Sequence, residues 1–405
     1  MIIIIKLLVI IAALLLLLRF KIDLAPAILL SGLATIVIFQ VNFMTAMEAA
    51  AKKVAAPKTL ELILVILLVL YIGSIQKSKK MFDRLIDSLN VMLRDKRIVA
   101  MVSPAIIGFL PMLGGALFSA PLVEVSTKDM DMKPEFKTFI NFWFRHIWEY
   151  VWPIYAGLLI FHALSKIPMK QIVLYQSPFT ILNVVTGAIV CFIYFKKRGI
   201  HKEPPQTAIS AWDTAKDFFN GIWPIMMVIL LYFLLDIQLY LSLILASAIL
   251  TIYVRLKPKE IMEVMFTKTM ARTAILLASV MAFQGIIEAS DLSSSLTQMN
   301  VSVGMIILFS FLISFTMGFL TGVNAAYIAI AYPIIYPLIQ NLPNFFTLSL
   351  YIYIIGFAGI LLSPPHLCLV LTNEYFKSSL IKVYKYLIPP VLIMSLIATT
   401  LAFVL

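Results

Sequence analysis

Leu110-Pro111-Met112-Leu113-Gly114-Gly115-Ala116-Leu117-Phe118-Ser119-Ala120-Pro121 lies inside an apolar run that extends from Ile98 to Thr127. A straight helix of about 30 residues would be roughly 45 Å long, too long for a hydrocarbon core of about 30 Å. Pro104, Gly108, Pro111, Gly114, Gly115 and Pro121 would also interrupt it. Two short arms meeting at Pro111–Gly115 satisfy both facts, so the run reads as a re-entrant hairpin (98–127). The stretch from Val301 to Gln340 reads the same way, with its tip at Thr321-Gly322-Val323-Asn324 and Pro333 and Pro337 in its second arm.

The remaining apolar runs fit single crossings at 2–18, 22–44, 60–76, 138–163, 170–195, 218–235, 238–255, 273–290, 346–376 and 384–405. Composition agrees: of 405 residues 62% are hydrophobic and 13% charged, with a mean hydropathy of +1.00. A soluble domain carries about twice that charge. Little length is left for an aqueous domain, and no Gly-x-x-x-x-Gly-Lys-Ser/Thr loop is present for ATP-driven transport. Cys191 and Cys368 lie in apolar surroundings and give neither a disulfide framework nor a zinc-binding spacing, so no metal site is expected beyond Na+.

The net charge of +12 is spread over short groups between apolar runs, which suits membrane orientation and not nucleic acid. Treating both broken runs as hairpins puts 25 Lys and Arg residues on one side, in groups such as 77–97, 196–216 and 255–272. The other side holds five: Lys52, Lys53, Lys58, Lys166 and Lys170. The rich side is then cytoplasmic and both termini are extracytoplasmic. Three spans, a hairpin and two more spans precede the basic linker 196–217, and the same order follows it. Five crossings per half is an odd number, so the second half enters the membrane upside down. The expected fold is all-α and polytopic, with inverted-topology repeats at 1–195 and 218–405.

Polar backbone is tolerated at membrane depth only where protein or a cavity meets it, so breaks mark candidate sites. Four breaks appear: the tip Gly114, Gly115 to Ser119; Trp152-Pro153; the tip Thr321, Gly322, Asn324; and Ser363-Pro364-Pro365-His366. Helix N-termini there can hold an anion, and freed carbonyls with Ser, Thr and Asn oxygens can hold Na+ near Gly115 and Asn324. Arg145-His146-Ile147-Trp148-Glu149 precedes Pro153. Arg145 and Glu149 at i,i+4 read either as a local ion pair or as a route. In the second reading Arg145 faces the anion while His146 and Glu149 couple an ion. His366 with Thr372 and Asn373 reads as a polar lining, or His366 as an ordinary structural histidine. Segments 77–97 and 259–266 read as amphipathic helices on the cytoplasmic leaflet. Trp143, Trp223, Tyr253 and Tyr351 read as an aromatic belt.

Leu110–Pro121 and Asn141-Phe142-Trp143-Phe144-Arg145-His146-Ile147-Trp148-Glu149 resemble a family of prokaryotic integral membrane proteins grouped within the ion transporter superfamily, beside citrate, dicarboxylate, arsenite and gluconate carriers. Thr321 and Asn324 answer only loosely to the Ser-Asn-Thr tip signature of the dicarboxylate members. The resemblance implies an inverted-repeat fold, commonly a homodimer, in which the hairpin-bearing domain moves as an elevator. The expected function is a secondary transporter, not an enzyme, carrying a small organic anion across the cytoplasmic membrane with Na+ or H+ and no other cofactor. Two alternatives stay open. A Na+/H+ antiporter would work through Glu149, and an intramembrane hydrolase would need Ser119 or Ser363 with His146 or His366, although no Gly-x-Ser-x-Gly context is present.

Overall fold

The computed structural model describes residues 2–20, 22–82, 84–85, 88, 95–109, 115–200, 211–290 and 302–404. Gly114 and part of the segment 77–97 lie outside them. Among the described residues there are helices and no strands. The first half holds α1 (Ile2–Arg19), α2 (Leu24–Ile38), α3 (Phe43–Val54), α4 (Pro57–Ser78), α5 (Lys96–Gly108), α6 (Ala116–Ser126), α7 (Pro134–Arg145), α8 (Ala156–Ser165) and α9 (Met169–Arg198). The second holds α10 (Ala211–Phe233), α11 (Leu239–Tyr253), α12 (Pro258–Met265), α13 (Lys268–Ala289), α14 (Val303–Thr321), α15 (Asn324–Ile339), α16 (Phe345–Leu361), α17 (Leu367–Phe376) and α18 (Leu380–Val404).

Six stretches, in α4, α9, α10, α13, α14 and α18, are long and apolar enough to cross a membrane. Large apolar side chains on α9 and α18, such as Phe192, Ile193, Leu396 and Phe403, face outward, where only lipid would shield them. The chain is a polytopic, all-helical membrane protein.

Two of the expected single crossings are broken. The 138–163 run divides into α7 and α8, and the break spans 146–155 instead of sitting at Trp152-Pro153 alone. The 346–376 run divides into α16 and α17 at Ser363–His366, where two prolines stop the ladder. α14, expected as a short hairpin arm, has 19 residues and is about 28 Å long, the length of a crossing. Trp143 and Tyr351 are not belt residues. Both are buried, and Trp143 Nε1 donates to Asn183 O at 2.9 Å.

The helices pack as two groups. α1–α4 associate with α10–α13, chiefly α2 and α3 on α13, α4 on α11, and α12 on α4. α5–α9 associate with α14–α18, chiefly α8 on α15, and α17 on α6 and α7. Between the groups, α4 meets α8 and α13 meets α15. A cleft of about 330 Å³ opens between them, lined by Lys58, Glu61, His162, Lys166, Tyr232 and Gln238 among others. Ion pairs Lys53–Glu288 and Lys170–Asp236 join residues that the charge count puts on the lysine-poor side. Lys79–Glu260, Lys96–Asp129 and Arg198–Asp131 join residues of the rich side.

α14 and α16 touch backbone to backbone. A Cβ on Gly318 would overlap the Gly356 carbonyl, and one on Gly359 would overlap that of Phe315. Small residues at such crossings let apolar helices associate without a hydrophobic driving force. Gly318→Leu is expected to cost about 1–3 kcal/mol through overpacking, visible as a lower apparent Tm of the detergent-purified protein. Gly304→Ala, whose added Cβ meets only Phe403 at an ordinary 3.6 Å, should leave it unchanged.

Candidate functional site

A helix ends with backbone carbonyls that lack an intrahelical partner, and burying them unpaired is costly. α5 and α14 both end inside the protein, and in each case the break of a neighbouring helix satisfies the carbonyls. Trp148 Nε1 donates to Ala105 O at 2.8 Å, Trp152 Nε1 donates to Phe109 O at 3.0 Å, and the Tyr155 hydroxyl donates to Gly108 O. At α14, Ser363 Oγ donates to Phe319 O at 2.6 Å, and His366 Nδ1 lies 2.5 Å from Gly322 O.

The opposite ends remain open. α6, α8, α15 and α17 begin at Gly115, Tyr155, Val323 and His366, and none of these four residues caps its helix with a side chain. The pairs α8–α15 and α6–α17 pack together, and shared side chains draw the four N-termini toward one centre. Asn141, fully buried, donates from Nδ2 to Ala116 O at 3.1 Å and to Thr372 Oγ1 at 3.0 Å. Arg145 is buried with its guanidinium laid over Gly115. A Cβ there would come within 2.7 Å of Nε and 2.8 Å of Cζ. Asn324 lies in the same way over Gly157. Its Nδ2 donates to Glu149 Oε2 at 2.8 Å and to the Tyr353 hydroxyl at 3.1 Å, and that hydroxyl donates to Glu149 O at 2.6 Å. His366 Nε2 stands 3.0 Å from His146 Nε2, and Cys368 lies beside both.

The structure thus gathers Gly115, Arg145, His146, Glu149, Gly322, Asn324 and His366 of the residues that the sequence singled out. Arg145 and Glu149 are not i,i+4 neighbours on one helix face, because α7 stops at Arg145. Glu149 is instead held by the second half of the chain through Asn324. The Thr321 hydroxyl donates to Met317 O of its own helix at 2.6 Å, and Ser119 stays within reach of its own helix carbonyls at 3.4 Å. Ser363 is spent on Phe319, and Thr372 on Asn141 and Cys368 O. Asn373 accepts from Ser378 Oγ at 2.5 Å, about 9 Å along α17 from its N-terminus.

Sequence reasoning missed Asn141, Gly157, Tyr353 and Cys368. The first and last had a readable signal, being polar or reactive side chains four residues before Arg145 and two after His366. Gly157 and Tyr353 had none.

The model of the family described as protein of unknown function (DUF401) matches residues 2–405. The chain belongs to that family. A comparison with curated proteins found no match.

Gly115 and Gly157 are tests of the centre. Gly115→Val is expected to displace Arg145, and Gly157→Val to displace Asn324, because each Cβ would occupy the space of the facing polar group. Both variants should insert in the membrane yet lose ligand-induced stabilisation in thermal melts. Retention of that stabilisation by both would remove the two helix N-termini from the site.

Proposed function

We propose that this protein is a secondary active transporter of the cytoplasmic membrane that carries a small organic anion with Na+ or H+. The observation that carries the reading is the convergence of four uncapped helix N-termini with the buried Arg145 guanidinium at the meeting point of two helix breaks. Helix N-termini present unpaired N–H groups and positive dipole ends, and a buried arginine offers paired donors to a carboxylate. Such a centre selects an anion of one or two carboxylate-sized groups. Discontinuous helices crossing in the middle of the molecule are the construction that secondary transporters use.

The order of elements supports inverted repeats. Hairpin α5–α6, broken pair α7–α8 and long helix α9 answer to α14–α15, α16–α17 and α18. The packing answers as well, with α2 on α13 matched by α4 on α11, and α8 on α15 matched by α6 on α17. Separation into two helix groups with a cleft between them suits an elevator in which the second group slides along the first, in line with the resemblance to the ion transporter superfamily. A coupling cation has a seat near Asn324. Its Nδ2 faces the Glu149 carboxylate, so its Oδ1 is the other amide atom. That oxygen is buried and has no hydrogen-bond partner among the described residues. An amide oxygen and a carboxylate together form an oxygen donor set for a hard ion such as Na+.

A thermal-shift screen of purified protein against mono- and dicarboxylates, with and without Na+, tests the proposal. A bound ligand at 100 times its Kd adds about 2.7 kcal/mol to folded-state stability. Arg145→Met should abolish the shift given by the anion, and Asn324→Ala should abolish its Na+ dependence. Stabilisation by no anion, or full stabilisation of Arg145→Met, would reject the reading. Orientation is tested separately. With Cys191 and Cys368 removed, cysteines placed at Lys79 and Lys197 should react with impermeant maleimide only from the cytoplasm, and one at Lys53 only from outside.

A further inference from the structure

His146 Nδ1 lies 2.6 Å from Phe142 O and His366 Nδ1 lies 2.5 Å from Gly322 O. A carbonyl oxygen only accepts, so each Nδ1 carries the hydrogen. A neutral imidazole has one N–H, which leaves each Nε2 as a bare lone pair. Yet the two Nε2 atoms face one another at 3.0 Å. Two acceptors at that distance require a positive centre between them. Cys368 brings a third donor, and its Sγ and the histidine nitrogens all lie within 4.8 Å of one another. All three side chains are largely buried, which keeps water from competing for the position.

We propose that His146 Nε2, His366 Nε2 and Cys368 Sγ bind a transition-metal ion of the Zn2+ class. Two imidazoles and a thiolate form a borderline-soft set that suits Zn2+ and not Mg2+ or Ca2+, which take oxygen ligands. Backbone carbonyls on both Nδ1–H groups provide the outer hydrogen bonds that orient metal-binding histidines. A proton shared by the imidazoles, with Cys368 hydrogen-bonded to both, is the competing occupant of the site. On binding, the Cys368 thiol loses its proton to solvent as the metal–sulfur bond forms. Three protein ligands leave a tetrahedral ion one open position. Resting on the anion-transport reading, that position would take a carboxylate oxygen of the substrate held by Arg145. The ion would also tie the break after α7 to the start of α17, joining the two halves of the chain at the centre.

Titration of the purified, full-length protein with Co2+ tests the site. The expected result is one ion per chain, with thiolate-to-cobalt charge-transfer absorption and tetrahedral visible bands that Zn2+ abolishes. Cys368→Ser should remove the charge-transfer band and, like His146→Gln, weaken Zn2+ binding more than about 100-fold, beyond the usual cost of losing an outer-shell partner. Cys191→Ser should bind as the unaltered protein does. X-ray absorption of the zinc-loaded, unsubstituted protein should show one sulfur and two imidazole ligands, which needs no variant to fold. Absence of the cobalt bands, binding that survives both variants, or a zinc shell without sulfur would overturn the proposal. An anion-induced thermal shift that persists in chelator, with no metal bound, would reject the ion as a ligand of the anion and leave the transport reading standing.

Discussion

Buried helix ends are the constraint on which this molecule is organised. α5 and α14 stop inside an apolar protein, where an unpaired carbonyl costs several kcal/mol in the absence of water. The partners come from the breaks between α7 and α8 and between α16 and α17: indole and phenol donors of Trp148, Trp152 and Tyr155 for α5, and Ser363 and His366 for α14. A break in one helix is thus satisfied by the end of another. Carbonyls are consumed by this arrangement, whereas the N-termini of α6, α8, α15 and α17 are left without a side-chain cap.

Close approach is the second requirement, and glycine meets it at few positions. Gly115 gives up its Cβ space to the Arg145 guanidinium, and Gly157 gives up its space to the Asn324 amide. Gly322 both adopts φ +62° to end α14 and lets the His366 backbone come within 2.8 Å of where its Cβ would stand. A side chain at any one of these positions would push apart elements that now touch through their polar groups.

The two helix groups differ in what they contribute. α1–α4 and α10–α13 pair Lys53 with Glu288 at the ends of α3 and α13 and carry none of the central polar cluster. α5–α9 and α14–α18 carry all of it. The cleft between the groups meets α8 at its Leu159–Lys166 end, whereas the cluster lies at its Ala156 start. The cleft at the boundary of the groups and the polar cluster at the centre of one of them are therefore separate features of the fold.

Membrane embedding and the chemistry of the helix-breaking points were determined by the sequence alone. They follow from local properties: hydropathy over a helix length, prolines that cannot donate, and charged residues inside apolar runs. Ser363–His366 as a break and Arg145, Asn324 and His366 as central residues were legible for that reason. Which polar groups meet was decided only by the tertiary structure. Glu149 reads as the partner of Arg145 as long as α7 is assumed to continue, but α7 ends at Arg145 and the carboxylate turns to Asn324, 175 residues away. Cys368 reads as an apolar-run cysteine until α17 packs on α7 and brings it beside His146. Such contacts depend on how helices far apart in the chain cross, and no local pattern carries that crossing.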